Sequence, residues 1–351
     1  MNVAGFPFDL ADLQAWLQAE RLCQPPVRLT PIGDGHSNLT YAVDDAERTV
    51  VLRRPPPPPV PRGGNDVLRE ARILRALAGT GVPVPGVLAV AAAGAVMDVP
   101  CYVMEHLDGV VATEVLPPAI DTPAQREALA GAMVDVLAAL HDVDWRDRGL
   151  ADMGRPEGFL DRQLDRLPLL IAGPGGALPA PFAQLRDELR AAKPAPAGAS
   201  LIHGDFRLGN LMLARDAPAR ITGVLDWELA GVGDPLADLA YLLVTYAVPG
   251  EPLHALTQLS TATLGPGFPP RSALAARYAA ATGRDLSRLC WHEGLQLFKL
   301  AVLFEYNRRK TADGGGDPYY ADPRLVDGLL AAARRAVRAD AHPTTRIPTE
   351  A

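Results

Sequence analysis

The chain has only three cysteines in 351 residues, Cys23, Cys101 and Cys290, far apart and set among apolar neighbours. An odd, scattered set excludes a disulfide framework and reads as buried free thiols. The seven histidines make no H-x3-H spacing and the cysteines no C-x2-C pair, which excludes a structural zinc site. No low-charge apolar run is long enough to span a bilayer, so no membrane partner is expected. The N-terminus lacks a basic stretch followed by an apolar one, so no secretion signal is expected, and a cytoplasmic location follows. Positive charge is also short: a net charge of −7 offers no general attraction to nucleic acid or anionic lipid.

What is present is an ordered change of pattern along the chain. Residues 8–20 carry Leu10, Leu13, Trp16 and Leu17 at helical spacing. Short strands are predicted over 27–32, 39–43 and 48–53. The turn between the first two is Gly33-Asp34-Gly35-His36-Ser37-Asn38, whose glycines permit positive φ and a close backbone approach to a ligand. The run from Arg54 through Pro55–Pro59 to Pro61 reads as a stiff polyproline loop. A helix over 66–78 and strands over 86–92 and 101–106 complete a small β-rich region. After Gly109 helices dominate: Thr122-Pro123 opens one that runs to His141, and others are predicted over 157–170, 179–192, 234–246, 253–263, 269–282, 286–309 and 322–338. The fold class is α+β. A small antiparallel β lobe (1–107) precedes a larger, mainly helical lobe (108–340), with a hinge at about 104–109 and a polar tail (341–351) expected to be disordered.

One stretch carries chemistry. His203-Gly204-Asp205-Phe206-Arg207-Leu208-Gly209-Asn210 reads as a loop. It is followed by the apolar strand candidate 221–225 and then Asp226-Trp227-Glu228. An Asp, an Asn five positions on, and a second Asp after a strand is the layout that kinase-type phosphoryl transfer needs. The first Asp can accept a proton from an attacking hydroxyl, and the Asn and second Asp offer hard oxygen ligands to Mg²⁺ on a nucleotide. Asp205 and Asn210 alone would suit an ordinary turn; His203, Gly204 and Asp226 in their places favour the catalytic reading. His203 reads as a brace for the loop, Asp234 as a helix cap before Pro235, and Asp238 as an anchor for the loop.

These residues, with Gly233-Asp234-Pro235-Leu236-Ala237-Asp238, the opening Gly35-His36-Ser37-Asn38 and the pair Arg69-Glu70, resemble the aminoglycoside phosphotransferase family. That family is kinase-like and bilobal. The likeness covers about residues 28–310, and the order Val50–Pro56, Arg69-Glu70-Ala71, Val82–Pro85, Tyr102–Glu105 most resembles the branch attached to some acyl-CoA dehydrogenases. The resemblance implies an enzyme that uses ATP and Mg²⁺ to phosphorylate a small-molecule hydroxyl. By the same resemblance Asp205 is the catalytic base, Asn210 and Asp226 hold the metal, and Ser37 and Asn38 approach the phosphates. Arg53, held by Glu70, neutralises phosphate charge, and the backbone around Glu105 and Leu107 meets the adenine edge.

The family often has Lys where this chain has Arg53; arginine keeps the charge on a larger fork, and Arg54 or Arg62 could share its task. The acceptor is open between a hydroxyacyl-CoA-like or other hydroxylated metabolite and an aminoglycoside. Helices over 153–170 and 286–309 mix Glu157, Asp161, Asp165, Glu293 and Glu305 with Arg155, Arg162, Arg166 and Lys299, a balance that suits an anionic acceptor slightly better. No activation segment ending in Ala-Pro-Glu follows Asp226, which argues against a protein kinase. A non-catalytic nucleotide-binding module is the rival class, and Arg53 is the one feature that favours it.

Overall fold

Alternation along one strand decides which way the small sheet faces. A computed structural model describes residues 6–33, 38–57, 65–251 and 257–341. Ser37, residues 58–64 of the proline-rich loop with Arg62, and residues 342–351 of the tail lie outside the described residues. The first elements are α1 (Leu10–Ala19), β1 (Arg28–Ile32), β2 (Leu39–Asp44), β3 (Thr49–Arg54), α2 (Val67–Leu77), β4 (Val87–Ala91) and β5 (Cys101–Glu105). The five strands form one antiparallel sheet in the order β1-β2-β3-β5-β4. Successive side chains of a strand point to opposite faces. Leu52 therefore joins Leu13 and Leu17 of α1 in the core beneath the sheet. Arg53, opposite Tyr102 in the β3–β5 register, faces α2 on the other side. Asp9 caps α1 and Asp66 caps α2, each accepting a backbone N–H of the first turn.

The rest of the described chain contains β6 (Val110–Val111), α3 (Pro123–Asp142), α4 (Phe159–Arg166), α5 (Ala180–Ala191), β7 (Ser200–Ile202), β8 (Leu211–Leu213), β9 (Ile221–Val224), β10 (Gly231–Gly233), α6 (Pro235–Thr245), α7 (Arg271–Thr282), α8 (Leu289–Ala312) and α9 (Pro323–Ala341). Thr122 caps α3 ahead of Pro123, as its sequence predicts. Two short sheets, β6-β8-β9 and β7-β10, carry the loops of interest. One core joins α2 and Tyr102 to α3, α6 and α7; a second joins α4, α5, α8 and α9. Among the described residues no helix is long and apolar enough to cross a membrane.

Two helix expectations differ from the structure. The helix predicted over 157–170 ends at Arg166 and tightens into a 3₁₀ segment, Leu167–Ile171, because Pro168 cannot continue the i→i−4 ladder. Residues 257–264 form a 3₁₀ helix broken at Ser260 where an α-helix over 253–263 is expected; 252–256 lie outside the described residues. The Thr263 hydroxyl donates both to the Ser260 carbonyl, the local side-chain bonding by which Ser and Thr compete with a helix, and to the distant Ala247 carbonyl.

Candidate functional site

The loop at 203–210 is held from below by α6. Asp238, one turn into that helix, accepts the backbone N–H of His203 at 2.6 Å and of Gly204 at 2.8 Å. Gly204 has φ +84°, and a Cβ there would come within 2.8 Å of the Leu229 carbonyl, so only glycine fits. The His203 ring is buried, with Nδ1 3.2 Å from the Asp205 amide and Nε2 2.8 Å from the Leu225 carbonyl. Only the tautomer with hydrogen on Nε2 satisfies both: Nδ1 accepts from Asp205 and Nε2 donates to Leu225. Burial pushes the Asp238 carboxyl up, but hydrogen bonds from the His141 ring and the His203 amide outweigh it and hold the group below the usual range.

Asn210, at the end of a short 3₁₀ turn, points its Nδ2 back at Asp205. It donates to the Asp205 carbonyl at 2.8 Å and to Oδ2 at 2.7 Å. With the nitrogen so engaged, the Asn210 oxygen is the end left for a cation. The other Asp205 oxygen, Oδ1, is buried without a hydrogen-bond partner and sits 3.6 Å from Arg207 Nε. A buried carboxylate oxygen without a donor is costly and marks a place where a ligand hydroxyl can bind. The Tyr241 hydroxyl faces the same carboxylate, and burial followed by the Asp205 charge pushes the phenol well above its ordinary value.

The β8–β9 pairing brings the second acidic position alongside. The Leu225 amide donates to the Asn210 carbonyl at 2.9 Å, tying the two segments together. Asp226 then takes a left-handed conformation, φ 66° and ψ 64°. Such a position costs an L residue on the order of 1–3 kcal/mol, least for Asp and Asn. Its carboxylate accepts from Arg53 Nη2 at 2.9 Å. Arg53 also donates through Nε to Glu70 at 2.7 Å and through Nη1 to Thr40 at 3.2 Å. Burial would lower the guanidinium's pKa; Glu70 more than compensates and holds it above the ordinary arginine value. Glu70, on α2, further accepts from Tyr102 at 3.2 Å and from Asn38 Nδ2 at 2.5 Å.

Between the sheet and the helices, Glu105 ends β5. Its amide donates to the Gly86 carbonyl at 2.9 Å, and its exposed carboxylate accepts the Gly86 amide at 3.0 Å. Leu107 packs over Gly223 of β9, where a Cβ would lie 2.3 Å from its Cδ1. The structure thus brings Arg53, Glu70 and Asp226 into one network and Asp205 and Asn210 into a second, joined through Leu225.

Some expectations change. Arg54 does not share the task of Arg53: one residue further along β3, it faces the opposite side of the sheet, buried over the Phe8 ring and 3.7 Å from Asp98. Asn38 is buried with its amide on Glu70 and its oxygen accepting from Asn65 at 3.1 Å, so its side chain braces α2. Thr40, Tyr102 and Tyr241 carried no signal beyond their places in strands and a helix. Lys299 did: it is a lone cation in the apolar run Leu295–Leu303.

Known proteins decide what this geometry belongs to. The profile of the phosphotransferase enzyme family matches residues 28–291, which takes in every described residue of both networks. The chain belongs to that family. It is similar to acyl-CoA dehydrogenase family member 11 of Pongo abelii, 31% identical over 335 residues, which are 92% of this chain and 42% of that protein. Acyl-CoA dehydrogenase family member 10 of Mus musculus is 35% identical over 227 residues, 64% of this chain and 21% of that protein. The chain thus spans less than half the length of these curated relatives. A solved structure from Ralstonia eutropha JMP134, provisionally assigned as an aminoglycoside phosphotransferase, superposes with a TM-score of 0.80 at 27% identity, over 94% of this chain and 98% of the other. An aminoglycoside phosphotransferase crystallised with AMP-PNP and hygromycin B shares the fold, with a TM-score of 0.60 at 18% identity over 94% and 99% of the two chains. The chain is α+β with a kinase-like fold.

Proposed function

We propose that this phosphotransferase transfers the γ-phosphoryl group of ATP to a hydroxyl of a small anionic metabolite, with a hydroxyacyl-CoA-like compound as the leading class. The observation that carries the reading is the Asp205 carboxylate, with Oδ2 fixed by Asn210 and Oδ1 buried without a hydrogen-bond partner. An acceptor hydroxyl that donates to Oδ1 gains the missing partner and is aligned for attack, and its proton has a base within reach. Asn210 and Asp226 offer the donors that suit Mg²⁺: one amide oxygen and one carboxylate that is 39% exposed. Mg²⁺ takes one or two protein oxygens and completes its shell with phosphate and water. When bound, the ion would neutralise phosphate charge. Arg53 would meet the phosphates from the sheet side, held there by Glu70. The Glu105 amide is spent on Gly86, so its carbonyl and the Leu107 backbone are the groups left for an adenine edge. The lobes of this reading are residues 1–107 and 108–340.

The charge balance supports the acceptor class. Asp161 is paired with Lys193 at 2.5 Å, Asp165 with Arg190, and Glu305 with Arg308 at 2.7 Å and Arg309 at 2.8 Å. A polycationic aminoglycoside needs carboxylates that are not already neutralised, whereas Arg207 beside Asp205 favours an anion. The names of the relatives, acyl-CoA dehydrogenase family members, point to the same class. Arg53 reaching Glu70 and Asp226 weakens the case for a non-catalytic module. ADP release from Mg·ATP is the test, measured against hydroxyacyl-CoAs, hydroxy acids, amino alcohols and aminoglycosides. Acceptor-dependent turnover with the acyl-CoAs is expected. Turnover stimulated by aminoglycosides alone, or by none of these acceptors, overturns the reading.

A further inference from the structure

Lys299 reaches the Asp205 loop from α8, an element that supplies nothing else to it among the bonds described. Its Nζ donates to the Gly204 carbonyl at 3.0 Å and lies 5.4 Å from the centre of the Tyr241 ring. The oxygen it holds belongs to the peptide unit whose N–H is that of Asp205. The N–H of that unit is held from the other side by His203 Nδ1 at 3.2 Å, and the two preceding amides are both on Asp238. The plane that launches the Asp205 side chain is therefore gripped at both ends, and the cation supplies one grip.

A neutral donor would satisfy a carbonyl equally well. A lysine in this place carries a desolvation cost: burial pushes its pKa down, against the upward pull of Asp205 and Asp238. Among the described residues its ammonium makes no ion pair with a carboxylate that would repay that cost directly. The residue is partly exposed, whereas its chain neighbours Phe298 and Leu300 are buried. A charge kept where an uncharged donor would serve the fold is a charge with a use at Asp205.

We infer that Lys299 is a positioning residue for phosphoryl transfer: it locks the Gly204–Asp205 peptide so that the open Asp205 oxygen faces the acceptor. The inference rests on the proposed role of Asp205. It is tested by ADP release from Mg·ATP, with water as acceptor and again with 3-hydroxybutyryl-CoA, in Lys299→Met, Lys299→Arg, Asp205→Asn and the Asp205→Asn/Lys299→Met double variant. Removing a desolvated charge need not destabilise, so Lys299→Met should melt at or above the wild-type temperature. Its kcat should fall by roughly 10- to 100-fold, the scale of a misplaced reacting group, with KM for Mg·ATP within about 3-fold. Lys299→Arg should restore most of the rate. In the Asp205→Asn background Lys299→Met should change kcat by less than about 3-fold, since both substitutions then remove the same contribution.

Wild-type kcat in Lys299→Met overturns the inference. So does a joint fall of kcat and melting temperature that Lys299→Arg does not repair, because that is the mark of a packing role. Full turnover in Asp205→Asn instead overturns the proposed function, and the role of Lys299 with it. Should Lys299→Met not fold, Lys299→Leu, which likewise removes both the donor and the charge, carries the same comparison.

Discussion

Arg53 and Asp226, 173 positions apart, meet at 2.9 Å across the cleft between the five-stranded sheet and the β8–β9 hairpin. The same guanidinium holds Glu70 at 2.7 Å, so one cation bridges a buried carboxylate and a partly exposed one. The exposed partner is the one proposed to hold a metal. A metal-bound nucleotide would compete with Arg53 for it, while Glu70 keeps the arginine in place.

Removing Asp226 should therefore separate metal from nucleotide. Asp226→Ala is expected to weaken Mg·ATP binding by far more than it weakens metal-free ATP binding, because a carboxylate is the stronger of the two proposed ligands. Titration calorimetry with and without Mg²⁺ measures both. Equal losses would remove Asp226 from metal binding.

The two partners of Arg53 should differ in their effect on stability. Glu70 is 2% exposed and Arg53 13%, so Glu70→Ala strips the buried cation of its buried partner, leaving only the partly exposed Asp226, and should cost about 3–5 kcal/mol. Asp226 is 39% exposed, and Asp226→Ala should cost less, about 1–2 kcal/mol, part of it from placing alanine in a left-handed conformation. Urea denaturation of both variants checks the contrast, and similar losses would contradict it.

Asp205→Asn keeps the shape of the side chain and removes the proton-accepting charge. Turnover should fall by roughly 10²-fold or more, with Mg·ATP affinity kept within about 3-fold. If Asp205 served only as a turn residue, asparagine would replace it silently. Steady-state kinetics paired with a nucleotide titration separate the two.

The Asp238 carboxyl gives the fold an acid limit. Its folded pKa is depressed below the ordinary 3.8, so its contribution is full above that value and is lost as pH falls through the lower folded value. Asp238→Asn should thus be less stable than wild type near neutrality, with a gap that closes below about pH 4. Denaturation between pH 3 and 7 reads the gap, and one that stayed constant would show that the charge of Asp238 is not used.

Asp205, Asn210 and Asp226 were legible because their spacing is local. A loop closed by Asp–Asn contact and a four-residue strand ahead of the second Asp are both short-range patterns, visible in order and polarity alone. The caps at Thr122 and Asp234 were legible for the same reason, since a cap reads its own first turn. The broken 257–264 segment was not, because hydroxyls bonding to distant carbonyls override helical spacing there.

By itself the sequence determined the order of strands and helices, the acidic loop and the family likeness, all of which rest on neighbours within about one turn or one strand of each other. Tertiary structure alone decided the rest. Arg53 and Arg54 have the same chemistry, and only the packing of α1 and α2 on opposite faces of the sheet sends one to Glu70 and the other to Phe8. Asn38 reads as a turn residue in the sequence, and only the fold puts Glu70 and Asn65 at the two ends of its amide. Lys299 and Gly204 lie 95 positions apart, and no periodicity links a helix residue to the carbonyl of a remote loop. Contacts of that separation follow from how the layers close on one another, and a local pattern holds no record of that closure.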